Sequence, residues 1–202
     1  GKADGDRMIG SPVHQFDILP EMEPYVNRVS AGDGDEIISL VAYSDRILQF
    51  KKRTLYIVNV GGEIGDEYLE SQHRNMGIKN PSQACVTEFG VAWVNSGGVY
   101  LYDGSNILDL TTEKLKSVDT TDRPKALNVT ESNIPIVGYH PGNKWLIVMP
   151  QSKIADANDV EAWIHDFKNK TWAYTNSFTT TDDFKSNLVA TADDELVFAA
   201  GT

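Results

Sequence analysis

Residues 89–110 read FGVAWVNSGGVYLYDGSNILDL, and this stretch decides the fold class. Val91-Ala92-Trp93-Val94, Val99-Tyr100-Leu101-Tyr102 and Ile107-Leu108-Asp109-Leu110 are three short runs of Val, Leu, Ile and aromatic residues. Such side chains suit a pleated sheet surface. Gly97-Gly98 parts the first two runs, and Asp103-Gly104 opens the turn to the third. Gly-Gly and Asp-Gly are both expected to supply the positive φ angles of two-residue hairpin turns. The stretch predicts a β-meander.

Moving outward, the pattern recurs. Residues 83–88 give this meander a leading strand. An earlier set comprises 37–43, 46–50 and 54–60, turning at Ser44-Asp45 and Lys51-Lys52-Arg53. Residues 67–73 close that set as a polar edge strand or a short helix. A third set comprises 134–139, 144–149, 160–166 and 171–175, with a Pro141-Gly142-Asn143 turn and a polar insertion at 151–159. Residues 187–192 and 196–199, around Asp193-Asp194, open a fourth. Apolar residues within these runs follow near-alternation rather than helical spacing.

First strands thus begin near Ile37, Gln83, Ile134 and Asn187. Four-stranded units at a period of roughly 40–50 residues are the signature of a β-propeller. The expected fold is all-β: a propeller-like array of four-stranded antiparallel meanders, forming a single domain over 1–202. Its blades fall at about 37–74, 83–110 and 134–176, with a partial blade at 187–202. A β-sandwich is the alternative. Propellers close with about 4–8 blades, so the chain is expected to be an incomplete propeller or a fragment. The opening Gly1 in place of Met agrees with a processed end, a tag remnant or the edge of a fragment.

Between these sets, residues 1–10 are expected to fray. Residues 13–19 read as a lone strand, stopped by Pro20 and Pro24. Residues 31–35 read as a loop, 111–116 as a short helix and 119–125 as a polar connector.

The chain has 202 residues and a net charge of −11, from 29 acidic and 18 basic side chains. That balance argues against a dedicated nucleic-acid binder, which needs a basic stripe. Apolar runs reach about seven residues, far short of the ~20 that span a bilayer, and no leader segment is visible. Cys85 is the single cysteine, which rules out an intrachain disulfide and is expected to be a buried, inert thiol.

Few residues suggest chemistry. Asp33-Gly34-Asp35-Glu36 superficially resembles a calcium loop but lacks alternate-position ligands and a distal Glu. It reads as turn chemistry. His14, His73, His140 and His165 are scattered without metal-ligand spacing. Gly61-Gly62-Glu63-Ile64-Gly65 lacks the following helix of a phosphate loop. Asn128-Val129-Thr130 and Asn169-Lys170-Thr171 match glycosylation sequons by chance. Lys51-Lys52-Arg53 is the one basic cluster and reads as a solvated hairpin tip, with contact to a phosphate or an acidic partner as the sharper alternative. Residues 163–172, WIHDFKNKTW, resemble the kelch-type propeller repeat. Asp166 would accept backbone N–H groups of the turn, and Trp172 would pack between blades. Trp93, Trp145, Trp163 and Trp172 are all expected between sheets. No catalytic, metal-binding or cofactor-binding residue stands out.

Two segments carry a family resemblance. Residues 45–60, DRILQFKKRTLYIVNV, and residues 75–110, with Gly77, Pro81, Gly90-Val91 and Gly98-Val99-Tyr100-Leu101-Tyr102-Asp103-Gly104, resemble blades of the propeller-containing tail tube and nozzle proteins of short-tailed bacteriophages. The resemblance implies a non-enzymatic virion protein, assembled in the host cytoplasm. It further implies a ring of identical subunits below the portal, contacting other virion proteins and passing DNA without specific binding. No family site residue maps onto this sequence. A carbohydrate- or protein-binding propeller and a propeller hydrolase are the other readings.

Overall fold

In the computed structural model, which describes residues 5–27, 32–111, 134–149, 161–175, 178 and 188–198, regular structure is β throughout, apart from one 3-10 turn. The chain divides into two units, Gly1–Ile78 and Lys79–Thr202.

In the first unit, β1 (Met8–Ile9) pairs antiparallel with β2 (Val26–Asn27). Then β3 (Ile37–Tyr43), β4 (Arg46–Lys51), β5 (Thr54–Asn59) and β6 (Tyr68–Arg74) form a four-stranded antiparallel sheet in chain order. The segment expected at 67–73 as an edge strand or a short helix is thus an edge strand, at Tyr68–Arg74. Its alternating exposure fits one half-covered face. The inner strands differ: Leu48, Phe50, Leu55, Ile57 and Val58 are buried, and so are the intervening Gln49, Lys51 and Tyr56. Both faces of the β4–β5 pair are covered.

Two expectations for the N-terminal segment fail. Met8 and Ile9 are paired rather than frayed, and Met8 is buried. Residues 13–19 form successive turns, held by Gln15 N–H to the Pro12 carbonyl (3.0 Å) and Ile18 N–H to the Gln15 carbonyl (3.1 Å). An apolar run becomes a strand only when a partner offers a ladder, and here the ladder is made by the residues on either side of the run.

The second unit opens with the 3-10 turn Pro81–Gln83. Gln83, expected to start a strand, is instead its last residue and is fully buried. Its Oε1 accepts from Lys79 N and Asn80 N, both at 2.9 Å, and its Nε2 donates to the Val94 carbonyl at 2.8 Å. There follow β7 (Ala84–Thr87), β8 (Gly90–Val94), β9 (Val99–Tyr102) and β10 (Ile107–Asp109), again a meander. A third consists of β11 (Ile136–His140), β12 (Trp145–Met149), β13 (Ala162–Asp166) and β14 (Thr171–Thr175). Finally β15 (Val189–Ala190) pairs with β16 (Leu196–Val197). The helix expected at 111–116, the connector at 119–125 and the insertion at 151–159 lie outside the described residues, apart from Thr111.

The turns of the opening stretch correct one reading. Val94 pairs with Val99, so four residues, 95–98, link β8 to β9. Neither Gly97 nor Gly98 has a left-handed φ. They sit instead close under side-chain hydroxyls: a Cβ would lie 2.7 Å from the Tyr100 hydroxyl at Gly97 and 2.6 Å from Thr111 Oγ1 at Gly98, so a larger residue needs those side chains to shift. Gly104, with φ of 100°, does use its conformational freedom.

An Asx residue closes the third strand of each four-stranded sheet. Asn59 Oδ1 accepts from Gly61 N (3.0 Å). Asp103 Oδ1 accepts from Ser105 N (2.8 Å) and Asn106 N (2.7 Å). Asp166 Oδ1 accepts from Lys168 N (2.8 Å) and Asn169 N (3.1 Å). The repeat seen in strand spacing is thus also a repeat of turn chemistry.

Within the second unit, the β11–β14 sheet is covered on both faces. Val137, Leu146, Val148 and Trp163 pack with Ala92, Val94, Val99 and Leu101 of the β7–β10 sheet. Their neighbours in sequence, Ile136, Ile147, Met149 and Ala162, point the other way and pack with Leu188, Leu196 and Phe198. Strand β11 adjoins β7 on one side and β15 on the other. Gly138 makes the second approach possible, since a Cβ there would lie 2.4 Å from that of Leu188.

Candidate functional site

Two polar clusters recur in the same chemistry: a carboxylate that takes one lysine and one tyrosine. The first is in the first unit. Asp33 Oδ1 lies 2.6 Å from Lys51 Nζ, and Asp33 Oδ2 accepts from the Tyr56 hydroxyl at 2.7 Å. Lys51 Nζ also lies 5.0 Å from the centre of the Tyr56 ring, within cation–π range. Gln72 Nε2 donates to the Tyr56 oxygen at 3.1 Å.

This geometry corrects the reading of Lys51-Lys52-Arg53 as a solvated tip at Lys51, while Lys52 and Arg53 are exposed as expected. The Lys51 side chain is fully buried. Lys52 pairs with Glu36 at 3.0 Å, and Arg53 N–H donates to Asp35 Oδ2 at 3.0 Å. The acidic loop at 32–36, which reads as turn chemistry, is the counterpart of the basic turn. Burial pushes the Asp33 carboxyl up, but donation from Lys51, Tyr56 and Asp35 N–H outweighs it and holds the group below the usual carboxylate range. Burial and the adjacent carboxylate push the Tyr56 phenol up to about 12. The contacts favour the ionised form of Asp33 and the protonated form of Tyr56, the arrangement of an anchoring ion pair.

The second cluster joins two sheets of the second unit. Glu88 and Phe89 form the turn between β7 and β8. Glu88 accepts from the Tyr139 hydroxyl at 2.5 Å and from Lys144 Nζ at 2.9 Å. The Lys144 and Tyr139 hydrogen bonds hold the Glu88 carboxyl low, and burial with Glu88 raises the Tyr139 phenol. Beside it, the Phe89 ring lies 4.5 Å from that of Phe167 and 6.4 Å from that of Tyr139. Phe167 continues to His165 (4.9 Å), and His165 stacks on Trp172 (4.9 Å, 27° between planes). A ribbon of rings therefore runs from a part-exposed Phe89 to a buried His165.

The other singled-out residues are structural. Asp166 accepts the turn N–H groups, as expected, and the Trp172 indole donates to the Leu110 carbonyl of the neighbouring sheet at 2.8 Å. Trp93 and Trp163 are buried, whereas Trp145 and Trp172 are only half-buried against the two apolar clusters. Cys85 packs against the core, and burial pushes its thiol up to about 12, away from nucleophilic character. Asn169 lies in the β13–β14 turn with its amide donating to Asp166 Oδ2 at 2.7 Å, and Asn128 lies outside the described residues.

His14 is exposed, His73 contacts Ser71 Oγ, His140 is edge-on to Trp145 and His165 contacts the Thr171 carbonyl. Among the described residues, no group of three or more His, Cys, Asp or Glu could hold a metal ion. No helix there is long and apolar enough to cross a membrane. No protein-family model matches the chain, and no curated protein matches it either.

Proposed function

We propose that the chain is a run of propeller blades serving as a non-enzymatic structural component of a phage virion tail, of tube or nozzle type. The observation that carries the propeller part is the β11–β14 sheet, apolar on both faces, with its first strand beside the first strands of the sheets before and after it. A two-sheet sandwich leaves one face of each sheet to solvent. Radial stacking of blades covers both faces of each blade and brings the first strands toward a common axis. The Asx turn at the end of each third strand supports the same reading.

The tail assignment rests on the resemblance of residues 45–60 and 75–110 to tail-protein blades, and the net charge of −11 agrees with it. A duplex carries one negative charge per ~1.7 Å of axis, so an acidic wall repels passing DNA where a basic one would hold it. In this reading the chain acts beside other copies of itself and other virion proteins. A cryo-EM map of the purified protein tests the architecture: blades about one axis are expected, and a two-sheet sandwich would overturn it. Titration with duplex DNA of unrelated sequence at low salt tests the conduit. No saturable binding is expected; micromolar, salt-sensitive binding would refute it.

A second reading, a carbohydrate- or protein-binding propeller, is favoured by one feature. Phe89 is part-exposed beside Phe167, Tyr139 and the Glu88–Lys144 pair. Ring faces next to charged hydrogen-bonding groups suit a sugar. Chemical-shift changes at Phe89 on adding an oligosaccharide panel would favour this reading over the first.

A further inference from the structure

The turns that replace the expected strand at 13–19 leave an unusual surface. Phe16 is 85% exposed, and Val13, Ile18, Leu19 and Met22 are between 46% and 70% exposed. All five lie in one loop between β1 and β2. The loop is not a loose tail. Gly10 N–H donates to the Tyr25 carbonyl at 2.8 Å, next to the Ile9–Val26 pair, and so closes its base. Pro24 lies against Gly65, where a Cβ would approach to 2.9 Å. Met8 and Val26 are buried beneath. The fold thus spends its ordering on the base of this loop and holds large apolar side chains in water at its tip. Each such side chain forgoes much of the free energy of burial, and such surfaces mark interaction sites.

The charge of the loop narrows the partner. Asp17, Glu21 and Glu23 alternate with the apolar residues, and no Lys or Arg lies between Arg7 and Arg28. Two such loops meeting in a symmetric dimer would bring six carboxylates together, and the whole chain is itself acidic, with a pI near 4.7. The complement is an apolar recess rimmed by lysine or arginine on a different protein. We propose that residues 10–25 form a docking loop for a basic protein partner, with Phe16, Leu19 and Met22 entering apolar recesses and Asp17, Glu21 and Glu23 facing its cationic rim. This goes beyond the tail reading and does not depend on it. Apolar anchors set the lifetime of such a complex, and the charges its rate of encounter and choice of partner.

The test uses the full chain and immobilised amphipathic helical peptides as surrogate surfaces: one of Leu and Lys, one of Leu and Glu, one of Ser and Lys. The chain should bind the Leu/Lys peptide at least tenfold more tightly than either of the others. F16S/L19S/M22S should lower that affinity at least tenfold, with an unchanged thermal midpoint. D17K/E21K/E23K should move the preference to the Leu/Glu peptide. D193K/D194K/E195K, which changes the overall charge by the same amount elsewhere, should leave the preference intact. Equal binding by the loop variants and the parent chain would overturn the proposal. So would loss of preference in D193K/D194K/E195K, which would trace it to net charge. Self-association of the parent chain that F16S/L19S/M22S abolishes would also overturn it, by assigning the loop to a second copy.

Discussion

Asp33 and Glu88 hold the same pair of partners, a lysine ammonium and a tyrosine hydroxyl, yet the two clusters have different work to do. The Asp33 partner, Lys51, has no exposed side-chain surface, whereas Lys144 is 30% exposed and Glu88 43%. Desolvation decides the difference. An ammonium sealed from water carries a penalty of several kcal/mol that only its immediate partners offset. A half-wet ion pair trades one set of water contacts for another and gains little. The Asp33 cluster therefore fixes the loop at 32–36 to the β4–β5 hairpin. The Glu88 cluster links the β7–β8 turn to β11 and to Lys144 just before β12, and is expected to add little to stability.

The largest expected effect tests the buried cluster. Asp33→Asn keeps the shape and removes the charge, leaving the Lys51 ammonium buried beside a neutral amide. Loss of one partner of a buried pair costs about 3–5 kcal/mol; with the Asp33 side chain itself 29% exposed, the loss should lie at or below the low end of that range, readable as a lower urea midpoint. Lys51→Met in the Asp33→Asn background should recover most of that loss, because the buried charge is gone. If the double variant is as unstable as Asp33→Asn alone, the penalty is not one of desolvation. The same pair sets an acid limit. The Asp33 carboxyl is lower in the folded chain than its ordinary 3.8. Its contribution is thus complete above that value and disappears as pH falls through the folded pKa. Asp33→Asn should lack this acid-dependent part of the unfolding curve.

Tyr56 gives the next effect, of opposite sign in pH. Its folded pKa is raised from 10.0 to about 12. The hydrogen bond to Asp33 is therefore fully present below pH 10 and is lost as the pH rises through about 12. Tyr56→Phe should cost about 2 kcal/mol at neutral pH, as for a hydrogen bond to a charged group. It should also remove the absorbance change that develops near pH 12 in an ultraviolet pH titration. Loss of absorbance near pH 10 instead would mean that Tyr56 is not the donor to Asp33.

The contrast between the clusters also marks what sequence can carry. The strands were legible because Val, Leu and aromatic runs are cut by Gly, Asp and Pro at short intervals, and that signal is local. The turn role of Asp166 and the inter-sheet role of Trp172 were legible too, since an Asp two and three residues before turn amides reaches them in almost any hairpin. The burial of Lys51 is not legible, because its partner Asp33 stands 18 residues away, before β3 and β4. The run Asp33-Gly34-Asp35-Glu36 offered a signal, as three acids to set against three cations, but only the contacts of Lys51 with Asp33 and of Lys52 with Glu36 give it meaning. Residues 13–19 have the composition of a strand and lack a partner. The Glu88 cluster draws on residues 51 and 56 positions apart. It becomes visible only once the first strand of one sheet is known to lie beside the first of the next.

The smallest effect is expected at Glu88, and its smallness is the point. Glu88→Gln removes the charge that holds Lys144 and Tyr139, but all three groups keep access to water. The Glu88 carboxyl is lowered mainly by the Lys144 and Tyr139 hydrogen bonds, so any stability it adds is present above the ordinary carboxylate range and fades as pH falls below it. At neutral pH in physiological salt, Glu88→Gln should leave the denaturation midpoint unmoved within error. At low ionic strength a small loss should emerge, because salt screens exposed pairs far more than buried ones. Asp33→Asn should show no such dependence on salt. A large, salt-insensitive loss in Glu88→Gln would place its cluster with the buried one. The inter-sheet contact around Phe89 and Phe167 would then be a sealed joint held by charge, and Phe89 would be closed to any ligand.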